Sequence, residues 1–155
     1  MADAKFKHAL LTALRGRGAH EPHASILARI PAARATDIPP WSSHSAYQLV
    51  EHMRACMDDI IDYCKNAHYA GHDFNSDFFW PANPESLSED KWEKCRAAYF
   101  RSLNEMIALV ENEPLDLLAP SGPDDHTLFR EALIVVDHNS YHCGQLTLLA
   151  RYMQS

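Results

Sequence analysis

Apolar residues recur at helical spacing along long stretches of this chain, and nowhere do they alternate as a half-buried strand requires. The longest stretch runs from Thr127 to Met153. It sets Val135, Leu146 and Leu149 on the same stripe as two histidines, His138 and His142. On an α-helix, residues i and i+4 lie about 40° apart around the axis and about 6 Å apart along it. Both imidazoles therefore project from one face that wants to be buried. An unmet buried polar group costs about 1–3 kcal/mol, so this stripe demands partners from elsewhere in the fold.

Three more stretches share the period. Residues 3–15 carry Phe6, Leu10 and Leu14 and stop at Gly16 and Gly18. Residues 45–65 carry Leu49, His52 with Met53, Cys56, Ile60 and Tyr63, and Ser45 with Gln48 three positions later is a capping-box pattern. Residues 88–112 carry Trp92, Cys95, Tyr99, Leu103, Met106 and Val110. Ser88 suits the N-cap there, and Glu89 and Asp90 suit the positive end of the helix dipole. Pro114 and the Ala119–Asp125 turn separate this stretch from the last one. Pro22 starts a shorter helical stretch to residue 30. Residues 66–87, with Gly71, Pro81, Pro84 and the cluster Phe78-Phe79-Trp80, read as a long irregular loop. The expectation is an all-α fold: a four-helix bundle with an additional short N-terminal helix, in one domain over residues 1–155.

Composition narrows the function classes. The net charge is −7 with no lysine/arginine cluster, which argues against nucleic acid or an anionic membrane as partner. The amino terminus lacks an apolar targeting segment, so neither a signal peptide nor a membrane span is expected. Cys56, Cys64, Cys95 and Cys143 form no Cys-x-x-Cys pair, and a reducing cytoplasm with free thiols is the simplest setting. No glutamate stands three residues before any histidine, which removes a di-iron carboxylate site. His-Glu-x-x-His, Gly-x-Ser-x-Gly and glycine-rich phosphate loops are absent as well.

His138 and His142 at i and i+4 have the spacing of a chelating pair. His52 is the best candidate for a third ligand, because it lies one turn after Leu49 and one turn before Cys56 and so faces the core. Two readings fit this pattern. One is an open three-histidine site for Zn²⁺, Ni²⁺ or a similar divalent ion; the other is three core histidines satisfied by hydrogen bonds. Cys56 as a fourth ligand would close the site and make it structural. His68 and His72 read as an exposed pair, and His20 and His23 as loop residues. His44 reads as a solvated first-turn residue, with a place at a cleft mouth as the other possibility and a general-base role only a guess. His126 reads as a surface or capping neighbour. Asn139 and Gln145 are either hydrogen-bond partners of the ligands or plain surface residues. Tyr141 and Cys143 point off the face of His142, and Asp137 toward solvent or another helix. The Phe78-Phe79-Trp80 cluster packs the loop onto the helices or covers a pocket mouth. Gly144 either permits close helix approach or is simply tolerated.

Two segments resemble the DinB/YfiT-like family of metal-binding helical bundles. One is Trp41-Ser42-Ser43-His44-Ser45-Ala46-Tyr47-Gln48-Leu49-Val50-Glu51-His52-Met53-Arg54. The other is Asp137-His138-Asn139-Ser140-Tyr141-His142-Cys143-Gly144-Gln145-Leu146. The resemblance implies an up-down-down-up four-helix bundle, a zinc or nickel ion on His52, His138 and His142, and a homodimer. It further implies a small-molecule substrate, with S-transferases and isomerases that use low-molecular-weight thiols as the characterised relatives. Alternatives are a metal-dependent hydrolase, or a non-catalytic dimeric bundle whose metal is structural or absent.

Overall fold

The computed structural model describes residues 2–74, 76–112 and 116–154, so Pro114, expected to break the chain after the third long helix, lies outside the described residues. The elements are α1 (Ala2–Leu14), α2 (His23–Ala28), a single 3₁₀ turn (Ala32–Arg34), α3 (Ala46–Lys65), α4 (Glu89–Glu111) and α5 (Leu128–Tyr152). No strand occurs among the described residues; Pro120 and Thr127 form an isolated bridge just ahead of α5.

The helix starts follow the capping chemistry of the sequence. Ser45 and Gln48 form a reciprocal capping box at α3, while the side chains of Ser88 and Thr127 accept backbone N–H bonds at α4 and α5. α3 packs against both α4 and α5, and α1 packs against the same two helices from the other side. The short α2 lies on α5. The four long helices share one apolar core, in which every residue of the expected α4 stripe, from Trp92 to Val110, is buried. Phe6 departs from expectation. Leu10 and Leu14 bury the C-terminal half of α1, but Phe6 lies a turn beyond them and is 62% exposed.

Buried polar atoms cross-link the helices. The Trp92 indole donates to the Ile30 carbonyl at 2.9 Å, tying α4 to the segment after α2. His23, expected in a loop, instead opens α2 and is buried, with Tyr99 Oη on its Nδ1 at 2.6 Å. Pro22 at the N-cap turns the chain inward at that point, and Tyr99 of α4 satisfies a ring that would otherwise be costly to bury. The turn before α5 clamps the end of α3. Ser121 Oγ donates to the Cys64 carbonyl at 3.0 Å, and the Asp124 N–H donates to Tyr63 Oη at 3.2 Å.

Two glycines predict opposite outcomes. Gly122 has φ +77°, and a Cβ there would stand 2.5 Å from the Tyr63 ring and 2.6 Å from its carbonyl oxygen. Gly122→Ala should cost at least about 2 kcal/mol from the left-handed backbone and the overlap together. Gly144, within α5, has nothing within 4 Å of the same added atom. Gly144→Ala should raise stability by about 0.5–1 kcal/mol. Urea unfolding of both variants measures each shift.

His23 predicts an acid limit. Burial, followed by the neighbouring His20, lowers its pKa from 6.5 to about 4. Below pH 6.5 the unfolded chain takes up a proton at His23 that the folded chain refuses, so stability falls as pH drops from 6.5 to about 4. In chelator-treated protein, His23→Gln should flatten the stability–pH slope across this window by one proton, as read from urea midpoints at successive pH values.

Candidate metal centre

The packing of α3 on α5 sets His52 opposite His138 and His142. His138 Nε2 lies 3.1 Å from His52 Nε2 and 3.1 Å from His142 Nε2. One ligand atom from each histidine lies within 4.8 Å of the other two, and this is the one such group of His, Cys, Asp or Glu side chains among the described residues. His52 and His142 are buried and His138 half-buried.

The protons on two of these rings are placed by their other nitrogens. His52 Nδ1 is 2.9 Å from the Phe79 carbonyl, an acceptor only, so Nδ1 carries the proton and Nε2 a lone pair. His142 Nδ1 is 2.6 Å from Gln145 Oε1, which leaves its Nε2 a lone pair in the same way. His138 Nε2 faces both lone pairs and can give a proton to only one of them. A cation at the centre satisfies all three at once. Tetrahedral bonds of about 2.0–2.1 Å to nitrogen put ligand atoms about 3.3 Å apart; the two 3.1 Å separations are close to that spacing. The residues present therefore fit a divalent ion.

Electrostatics point the same way. Burial, opposed by the Phe79 hydrogen bond and reinforced by His142 and His44, lowers His52 to about 4. Burial, then His142 and His52, lowers His138 to about 4. Burial also lowers His142, against the pull of its bond to Gln145. All three rings are neutral at pH 7, the form that coordinates metal.

The irregular loop completes the surroundings. Ser45 Oγ donates to Asn83 Oδ1 at 2.6 Å and Gln48 Nε2 donates to the Pro81 carbonyl at 3.0 Å, so the capping box of α3 also anchors the loop. Asn83 in turn donates to the Thr36 carbonyl at 2.8 Å. This fixes the Phe79 carbonyl on His52 and lays the Trp80 indole flat on the His52 ring, with centroids 3.7 Å apart and planes 9° apart. His44 stacks on Trp80 in turn, at 3.9 Å and 17°.

Other sequence expectations resolve as follows. Cys56 Sγ is 3.7 Å and 3.8 Å from the two nitrogens of the His52 ring and stands outside the three-histidine group. Burial, then Asp59, pushes its thiol up to about 12. Gln145 is the partner of His142, whereas Asn139 is buried and donates to Met57 Sδ at 3.4 Å. His44 is not a solvated first-turn residue; its stack on Trp80 holds it at a cleft. His68 and His72 are exposed, as expected. His126 sits beside the N-cap of α5, 3.1 Å from the buried Glu131 carboxylate. Tyr141 and Asp137 are exposed and Cys143 is buried on the opposite side of α5. The roles of the Phe79 carbonyl and the Trp80 ring face had no spacing signal in the sequence; the aromatic cluster was the sole hint.

Compared with known proteins, the chain matches no protein-family model, no curated protein and no solved structure.

Loss of a hydrogen bond that orients a ligand typically costs 10–100-fold in metal affinity. Gln145→Leu should therefore weaken Zn²⁺ binding by about that factor, while leaving the melting temperature of the metal-free protein within a degree or two. Competition against a chromophoric chelator reads the first value and calorimetry the second.

Proposed function

We propose that this chain is a metal-dependent protein that holds one divalent ion, zinc or nickel, on His52, His138 and His142, and uses the open position to activate a small thiol for S-transfer or isomerisation. The observation that carries the reading is the convergence of three Nε2 atoms, two of them stripped of protons by the Phe79 carbonyl and Gln145. Three neutral ligands leave a coordination position free, which is the pattern of catalytic rather than structural zinc. When bound, the ion would lower the pKa of a thiol or water held there and present it as a nucleophile.

The protein's own residues have narrower tasks. His52 and His142 keep fixed tautomers, and Trp80 shields the face of His52. None of the four cysteines belongs to the three-histidine group. Burial pushes Cys64 up to about 11, Cys56 and Cys143 up to about 12, and Cys95 higher still. In this reading the nucleophile therefore arrives as substrate or water. A cleft borders His142, and in this reading it is the route by which a small molecule reaches the ion, which favours catalysis over a purely structural ion.

The reading includes the up-down-down-up bundle of the DinB/YfiT-like family, supported by the packing of α1 and α3 each on both α4 and α5, and a reducing cytoplasm, supported by the four free cysteines. No helix among the described residues is long and apolar enough to cross a membrane. The reading also takes over the homodimer that the family resemblance implies, with the exposed Leu133 and Ile134 on α5 as candidate contacts. Water as the nucleophile would make the same site a hydrolase.

Elemental analysis of protein purified without chelator should find close to one zinc or nickel per chain. His52→Ala and the double variant His138→Ala/His142→Ala should each lose it. A wild type that neither carries nor takes up metal, and that melts identically with and without EDTA, would refute the proposal.

A further inference from the structure

The cleft beside the three histidines has a volume of about 490 Å³, within the range of small-molecule sites. Its walls include Trp41, His44, Trp80, Tyr141, Gln145 and Leu148, and the ligand His142 forms part of it. Two features of this lining stand out. First, among the described residues no Asp, Glu, Lys or Arg lines it, although 23% of the chain is charged. Second, its apolar side chains are left open: Trp41 is 55% exposed, Tyr141 65% and Leu148 52%.

The two features select a ligand. A divalent ion on three neutral imidazoles keeps its full charge, with no carboxylate in the lining to offset it. The donor atom it attracts into the open position is therefore anionic. With no Lys or Arg in the walls, a second negative charge on the ligand would find no counter-charge. The body of the molecule meets aromatic rings with accessible surface, while Trp80 already has His44 on one face and His52 on the other and presents what remains to the cleft. Planar rings recover the most from such walls, by stacking or edge-to-face contact. Tyr141 is held for this by its own neighbours. Its ring packs edge-on to His142 with centroids 4.9 Å apart, and its hydroxyl lies 3.4 Å from Gln145 Nε2.

The geometry points to a substrate that is a planar aromatic or heteroaromatic molecule carrying one anionic donor (a thiolate, carboxylate or enolate), with its donor toward the three histidines and its ring between Trp41 and Tyr141. This inference rests on the metal reading above and adds the class of molecule that the site takes.

Matched monocarboxylates separate the two claims. The protein is loaded with Co²⁺, whose visible spectrum reports ligands entering its coordination sphere, and titrated with acetate, cyclohexanecarboxylate and benzoate. Benzoate should bind at least about tenfold more tightly than acetate and several-fold more tightly than cyclohexanecarboxylate. Trp41→Ala combined with Tyr141→Ala should bring benzoate down to the level at which the same variant binds acetate. Both residues are more than half exposed, so the fold should tolerate the change, and Trp41→Phe should restore most of the preference. Benzoate no tighter than acetate, or equal to cyclohexanecarboxylate, overturns the aromatic class while leaving the metal site standing. Absence of any bound-Co²⁺ spectrum overturns the metal reading and this inference with it.

Discussion

Three imidazole nitrogens meet across the contact between α3 and α5, and the surrounding structure fixes how they face one another. Burying a polar ring without partners is costly, and here two lone pairs compete for at most one proton. The surrounding bonds sharpen the conflict. The Phe79 carbonyl and Gln145 hold the protons of His52 and His142 on the far sides of the rings, so that both lone pairs stay aimed inward.

His23 shows what a purely structural histidine looks like in the same protein. It is as buried as His52, but its Nδ1 meets a single hydroxyl, Tyr99 Oη, and no second imidazole nitrogen competes for that bond. Its parallel stack on His20, with centroids 5.7 Å apart, is a packing contact. Burial lowers the pKa of both His23 and His52 to about 4, so the shift alone does not distinguish them. Geometry does, because only the three-histidine cluster points several lone pairs at one point in space.

The loop between α3 and α4 links helix capping to site chemistry. Ser45 and Gln48 satisfy the first turn of α3 and, with the same side chains, hold Asn83 and Pro81. The helices hold the three histidines on rigid rods, and the loop supplies one backbone acceptor and one indole plate. Loops placed on a rigid scaffold commonly carry such functional contacts, and this one is pinned by side-chain bonds at its approach to the helices. The cleft opens beside the same indole, so the side chain that shields His52 also forms part of the cleft wall.

Much of this was legible in the residue order. The 3.6-residue period located the long helices, Ser45 and Ser88 marked two of their starts, and the burial of the α4 stripe followed from its pattern. The i, i+4 spacing put His138 and His142 on one face, and the position of His52 between Leu49 and Cys56 turned it toward the core. Local periodicity determines these things because it acts within a few turns of chain. It did not determine that His23 would be buried, that Phe6 would stay exposed, that Asn139 would turn to Met57 while Gln145 turned to His142, or that His44 would be drawn onto Trp80. Least of all could it supply the Phe79 carbonyl, since every residue has one and only the path of the loop decides where it points. Those outcomes depend on which surfaces meet when the helices pack, and packing is a property of the assembled chain rather than of any segment in it.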